Sequence, residues 1–414
     1  MTKLIKLKYL VSTPITTGAS KEALSYDEKL LRYIRISDFD KNGKILDKNK
    51  ASIKQEDGEK YLLNNNDLLV AVTGGTVGKC LLYTADNTNI KACYAGYLAR
   101  IRANKLLNIK YLYYFMNCPI YDAFKSFYAT KSTIENISAS KYANLELVYY
   151  PIEKQNHIVQ ILDAKFAVID NLIQNQQKQI ELLYAYKQSK ICEVTTHGLN
   201  KNIKLKTSSI KWINSLPEHW KELWLSTLFY EHKEKNTNLM CKNLLSLSYG
   251  KIKTKDIEKR DGLLPESFDS YNIINKGDIV LRLTDLQNDH KSLRVGYSNN
   301  RGIVTSAYVT LRLKKDNAYS KYYYYLLHSY DIKKGFYGMG TGVRQDLNYK
   351  ELKKLRLVYP PINEQLLIVD YLDSFCTTID ELVKLKQIKI EKLNEYKKSL
   401  IYEYVTGKRE VKED

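Results

Sequence analysis

A repeat of domain length constrains this chain more than any other feature of it. The stretch Pro151-Ile152-Glu153-Lys154-Gln155 returns as Pro361-Ile362-Asn363-Glu364-Gln365. Without a gap the match continues through Ile158-Val159, Leu162-Asp163, Ile169-Asp170, Ile180-Glu181, Tyr186-Lys187 and Ser189. Their counterparts are Ile368-Val369, Leu372-Asp373, Ile379-Asp380, Ile390-Glu391, Tyr396-Lys397 and Ser399. An offset of about 210 residues is far longer than the roughly 20–50 residues of a solenoid unit. It is the size of a domain plus a long helix. The chain therefore reads as a fused dimer, and its function should need two related but unequal halves.

The repeat itself predicts a helix in each copy. No proline or glycine falls within residues 155–195 or 365–405. Apolar residues recur three and four apart at Leu162, Phe166, Ile169, Ile173, Ile180 and Leu183. The second copy places Leu372, Cys376, Ile379, Val383, Ile390 and Leu393 in the same register. Such a narrow seam is that of a coiled coil. Forty residues would span about 60 Å. Gln176 and Lys386 occupy one equivalent polar seam position, which marks register rather than adding stability. Two such helices in one chain most simply pack on each other, antiparallel; the competing arrangement docks each on a partner protein.

About 150 residues precede each copy. Short β-type runs, such as residues 61–72 and 273–283, are broken there by glycine and asparagine turns. Asp67-Leu68-Leu69-Val70 pairs with Asp278-Ile279-Val280-Leu281, and Lys110-Tyr111-Leu112-Tyr113-Tyr114 with Lys321-Tyr322-Tyr323-Tyr324-Tyr325. The tyrosine-rich stretches continue as amphipathic helices whose aromatics belong to the core. The predicted fold is thus α+β: two α/β domains at residues 1–150 and 203–360, helical spacers at 151–202 and 361–414, and an internal pseudo-twofold duplication.

Composition narrows the partners. A net charge of +19, spread along the chain, attracts polyanions, nucleic acid first. Cys80, Cys93, Cys118, Cys192, Cys241 and Cys376 are scattered with no Cys-x-x-Cys, which fits a reducing cytosol and neither a disulfide framework nor a zinc ribbon. The lysine-punctuated start, residues 1–10, resembles no signal peptide or membrane span, so a cytoplasmic protein with no membrane partner is expected.

The proline-led Pro-x-x-x-Gln running into Ile-Val-x-x-Leu-Asp, twice in one chain, resembles the specificity subunit of type I restriction–modification systems. Supporting stretches are Trp212-Ile213-x-x-x-Pro217-Glu218-His219-Trp220, the run from Asn275 to Asp285, Gly302-Ile303-Val304-Thr305-Ser306-Ala307-Tyr308, and Thr73-Gly74-Gly75-Thr76-Val77-Gly78-Lys79. The first half lacks the tryptophan–proline–tryptophan opening of the second. The resemblance implies two target recognition domains, each reading half of a split double-stranded DNA sequence, joined by paired helices. It implies two modification (methyltransferase) subunits docked on those helices, with restriction subunits completing the complex. S-adenosylmethionine, ATP and magnesium would then sit on partner subunits, with no cofactor on this chain and no chemistry of its own. Such half-site readers need a rigid spacer to fix their separation.

Other motifs compete with that reading. Residues 73–79 lack the first glycine of a phosphate-binding loop, and Cys80 stands where its hydroxyl belongs. Phe336-Tyr337-Gly338-Met339-Gly340-Thr341-Gly342 suggests an S-adenosylmethionine loop, yet no Asn/Asp-Pro-Pro-Tyr/Phe tetrad accompanies it; these glycines more simply lead into a helix capped by Asn348. Pro217-Glu218 with Glu231-His232-Lys233 matches a loose nuclease pattern that chance supplies in so charged a chain, and the histidines have no metal-ligand spacing. The alternatives are a self-contained DNA methyltransferase or nuclease, and a coiled-coil scaffold charged only for solubility. As DNA contacts the sequence offers Thr76 and Lys79 in the first half. In the second it offers Arg344 and Gln345, suited to guanine and adenine edges, and Arg282, Thr284, Lys291 and Arg294 around residues 284–290.

Overall fold

Both expected long helices form, at Ile152–His197 and Ile362–Thr406. The structure is a computed structural model that describes residues 3–39, 45–46, 48–84, 90–129, 136–255, 267–289, 293–314, 316–337, 339 and 346–410. Each long helix follows a proline, Pro151 or Pro361, whose carbonyl accepts from the amide of Gln155 or Gln365. Each stops at a glycine with left-handed backbone, Gly198 (φ +77°) and Gly407 (φ +73°), where a side chain would be strained.

The chain forms two compact units. One comprises Met1–Gln176 with Gln387–Asp414, the other Gln177–Lys386. Each unit therefore contains one head together with about half of each long helix.

In the first unit the two helical segments run antiparallel. Lys397 Nζ donates to Asp170 Oδ1 (2.7 Å) and lies over the Phe166 ring, while the Tyr111 hydroxyl donates both to Val148 O, just ahead of the first helix, and to Val405 O, near the end of the second. Leu162, Phe166, Ile169, Ile173 and Leu393 pack with Leu400, Ile401 and Val405 around this seam. The head carries a four-stranded sheet in the order Thr16–Thr17, Leu98–Ile101, Leu68–Ala71, Cys80–Leu82, and a second built from Leu24–Ser25, Ala51–Ile53, Leu31–Ile34 and Ala92–Tyr94. Lys3–Lys6 pairs antiparallel with Glu146–Tyr149, immediately before the first long helix.

The second unit repeats the plan. Lys386 Nζ donates to Gln179 Oε1 (2.5 Å) and Lys187 Nζ to Asp380 Oδ1 (2.6 Å), so numbers rise along one helix as they fall along the other. Ile379 and Val383 are buried there, and Ile180, Leu183 and Ile390 are half-buried in their units. Its four-stranded sheet runs Phe229–Glu231, Val309–Leu313, Ile279–Leu281, Val295–Tyr297, and Lys221–Trp224 pairs with Arg356–Tyr359 ahead of the second long helix. Trp220, fully buried, donates its indole N–H to Glu364 Oε2 (3.0 Å), which explains the tryptophan ahead of this half.

Buried polar contacts are duplicated with the fold. Asp67 accepts a two-pronged pair from Arg102 (2.7 and 2.7 Å) and caps the turn at Asn64; Asp278 does the same with Arg312 (2.8 and 2.7 Å) and Asn275. Gln155 accepts from the Asn108 amide and donates to Tyr150 O, and Gln365 accepts from the Tyr319 amide and donates to Pro360 O. Asp163 receives Lys110 and the Tyr114 hydroxyl, while Asp373 receives Lys321 and the Tyr325 hydroxyl. The tyrosine-rich runs become the helices Ile109–Phe115 and Ser320–Ile332. Their aromatics are core: burial pushes the Tyr111 and Tyr322 hydroxyls well above the ordinary tyrosine range.

Candidate nucleic-acid interface

Each unit places a loop between a central strand of its four-stranded sheet and the neighbouring edge strand, and ties that loop to the segment ahead of its last short helix. In the first unit the loop is the turn after Leu68–Ala71. Val77 N donates to Gly74 O and Lys79 N to Thr76 O, while Ile137 N donates to Val72 O. Gly78 has φ +81° and its carbonyl accepts from the buried Tyr121 hydroxyl (3.0 Å); a Cβ here would lie 2.2 Å from the Lys125 side chain. Thr76 is exposed at the tip. Lys79 is half-buried, with its ammonium donating to Phe39 O (3.1 Å) and resting over the Phe39 ring. This is a hairpin turn, with one of the three lysine donors spent on the protein.

In the second unit the loop is longer and has an internal organiser. Arg294, expected at the surface as a DNA contact, is instead fully buried, with relative exposure of 0%. Its guanidinium donates to Arg282 O (3.2 Å), Thr284 O (2.8 Å), Asp285 O (3.3 Å) and Asp289 O (2.5 Å). It also faces the Tyr337 ring, whose hydroxyl donates to Asp289 O. The physical reason is the loop's need for a donor: four carbonyls turn inward and only an arginine fork satisfies them together. The Arg294 amide donates to Asp331 Oδ2 (2.5 Å), and burial raises the Asp331 carboxyl to about 6.

Around this organiser, Arg282 is half-buried, 3.8 Å from Asp289, and Thr284 is half-buried. Asp285 adopts a left-handed backbone (φ 55°) and its amide donates to Asp346 Oδ1, while Leu347 N donates to Leu283 O. Arg282, Thr284 and Arg294 are thus gathered at one loop. Lys291, Arg344 and Gln345 lie outside the described residues; Asp346, the neighbour of Gln345 in sequence, is bonded to the loop. Asn348 caps the helix Tyr349–Leu352 through Lys350 N, as expected. Sequence reasoning missed Asp331 and the inward role of Arg294, for which a lone arginine in a polar run gives no signal.

The loose nuclease pattern does not assemble: Glu218 pairs with Lys204, Glu231 with Lys233 and His232 with Glu234. Among the described residues no cluster of metal-ligating side chains occurs, and no helix is long and apolar enough to cross a membrane.

Two divergent loop-bearing heads, each rooted by the same polar contacts in an antiparallel helix pair, define the architecture of a duplicated recognition protein. The sequence profile of the type I restriction modification DNA specificity domain matches residues 15–182 and again 217–392, and the chain belongs to that family. It is 24% identical over 370 residues to the type I restriction enzyme MjaVIII specificity subunit of Methanocaldococcus jannaschii, covering 86% of this chain and 81% of that one. It is 25% identical over 420 residues to the putative MjaX specificity subunit of the same organism, covering 97% and 92%. In fold it resembles a solved chain from a study of assembly and conformational transition in a type I restriction–modification system. That match has a TM-score of 0.70 and 14% identity and covers 97% of both chains. The HsdS subunit from Thermoanaerobacter tengcongensis matches with a TM-score of 0.50 and 14% identity, covering 98% of this chain and 97% of that one. The duplication and the specificity-subunit fold expected from sequence are both present, and the role that goes with them is recognition of a DNA sequence within a restriction–modification complex.

Proposed function

We propose that each unit reads one half of a split, asymmetric DNA target and that the helix pair carries two modification subunits, with restriction subunits joining them. The observation that carries this reading is the contrast inside the duplication. Gln155 and Gln365, or Asp67 and Asp278, make the same bonds in both units, while the loop at Thr76 and the loop held by Arg294 share neither length nor internal contacts. Divergent loops on equal frames suit two different half-sites. On this reading Thr76, Lys79, Arg282, Thr284, Lys291, Arg344 and Gln345 supply the contacts, and Arg294 shapes the loop without touching DNA. Methyl transfer, and the S-adenosylmethionine, ATP and magnesium it and restriction require, belong to the partner subunits.

Methylome sequencing of cells with and without the chain, the modification subunit present throughout, tests the proposal. The expected result is a split motif that disappears with the chain. Exchanging residues 1–150 for those of another member should then change one half of the motif only. A change in both halves would defeat the one-unit, one-half-site assignment.

A further inference from the structure

The second unit exposes a two-stranded ribbon that has no counterpart of that form among the described residues of the first unit. Leu245–Ser248 and Lys251–Thr254 pair antiparallel, with Ser246 opposite Lys253 and Ser248 opposite Lys251. Side chains alternate across such a ribbon. Leu245 and Leu247 are buried, and Leu247 and Ile252 close over Gly296, where a Cβ would meet them at 2.5 and 2.9 Å. The other face carries Ser246, Ser248, Lys251 and Lys253, with both lysines exposed. In the first unit Leu31–Ile34 lies parallel to Ala92–Tyr94 as Leu244 lies parallel to Ile303, yet that strand and its neighbour Ala51–Ile53 are buried throughout. Among the described residues, the exposed cationic face is found on the second unit's ribbon and not on these two strands.

The turn at its tip is unusual in the same direction. Tyr249 (φ 47°) and Gly250 (φ 73°) both have left-handed backbone, the signature of a tight hairpin turn whose first position favours asparagine or aspartate. A tyrosine there is a backbone outlier, and outliers of this kind concentrate at functional positions. Its side chain is 75% exposed, so no packing in this unit accounts for it. Beneath it the tip is anchored: a Cβ on Gly250 would sit 3.3 Å from His328 and from Leu293. Of the two lysines, Lys251 stands 3.8 Å from Asp380 Oδ2, a carboxylate whose other oxygen Lys187 already holds at 2.6 Å.

We infer that this ribbon is a phosphate-backbone contact for duplex DNA, with Lys251 and Lys253 facing the phosphates and Tyr249 at the leading edge. The inference rests on the DNA-reading role proposed above. Lysines and hydroxyls on one face match the donors that proteins aim at phosphates, and this face presents no carboxylate of its own. Such contacts are independent of base sequence and set register.

The test is the salt dependence of DNA binding by the full chain assembled with its modification subunits, on a duplex carrying the target motif and on a scrambled duplex. The Lys251→Gln/Lys253→Gln variant should bind both duplexes more weakly, and its slope of log K against log salt should be shallower by about 0.9 for each phosphate left without its lysine. Tyr249→Asn, which suits the turn and cannot fail by straining it, should weaken both complexes without altering sequence preference. Unchanged slope and affinity in both variants would overturn the inference while leaving the DNA-reading role intact. Loss of the modification subunit from the assembly would overturn it in favour of a protein-docking ribbon. Absence of DNA binding by the unaltered assembly would remove both the inference and the role beneath it.

Discussion

Replacing Arg294 by alanine should separate loop architecture from the rest of the second head. The guanidinium's two short bonds, to Thr284 O at 2.8 Å and Asp289 O at 2.5 Å, dominate its contribution. At roughly 1.5–3 kcal/mol for a bond to a charged group, the pair is worth about 3–6 kcal/mol. Loop carbonyls released by the substitution turn towards water, so the lower end, about 3 kcal/mol, is the expected loss. For a unit of this size that lowers the melting temperature by roughly 6–12 °C. Arg294→Lys keeps the charge but not the planar fork, and should lose about half as much. Calorimetry of the full chain reads the stability term. Methylome sequencing reads the other: with the loop unheld, discrimination at bases in the second half-site should fall by about 10- to 100-fold, the equivalent of ~1–3 kcal/mol per position. The first half-site should stay as sharp as before. If Arg294→Ala melts early yet keeps full preference in the second half-site, the loop is not a reading element and the reasoning fails.

The remaining predictions concern buried charge. Asp67→Ala leaves Arg102 without its two-pronged partner and should cost about 3–5 kcal/mol, the usual penalty for orphaning a buried pair, seen as one early calorimetric transition with the second unit's transition unmoved. Asp331 has its carboxyl raised by burial to about 6, against the opposing Arg294 amide and guanidinium. Between about pH 4 and 6 the folded state therefore keeps a proton that the unfolded chain has released, so stability falls as pH rises through that window, by about 3 kcal/mol in all, and is flat above it. Asp331→Asn should remove that slope in denaturant titrations run from pH 4 to 7; an unchanged slope would assign it to another group.

Helices and heads were legible in the sequence to different depths for a physical reason. A helix seam is local: Leu162, Phe166 and Ile169 announce it by spacing alone, and both long helices appear where the spacing put them. The duplicated Asp67-Leu68 and Asp278-Ile279 runs likewise marked equivalent central strands, although nothing local foretold that each aspartate is held by an arginine more than thirty residues away. The break in pattern at Pro151 marks where a helix starts, and says nothing of how the helix is shared in packing. The packing changes near Gln176 and Gln387, in mid-helix, where no residue type signals it. Arg294 illustrates the remaining difficulty. Burial of a charged side chain depends on which carbonyls a loop turns inward, and that is decided by the fold of the loop after the strands are in place.

One ion pair shows how the duplication works as a mechanical part. In the first unit the lysine comes from the second helix and the aspartate from the first, as Lys397 and Asp170; in the second unit the donors are exchanged, as Lys187 and Asp380. Each helix thus contributes one lysine and one aspartate, and each finds its opposite sign only when the helices run antiparallel in the observed register. Within each unit, a shift by one turn moves the lysine off its aspartate. Half-exposed pairs of this kind are worth little singly, on the order of 0–1 kcal/mol. Within each unit such a pair opposes a slip of that unit's own helix segments, and the same chemistry does so in both units. The heads can then diverge in their loops without disturbing the register on which each unit is built.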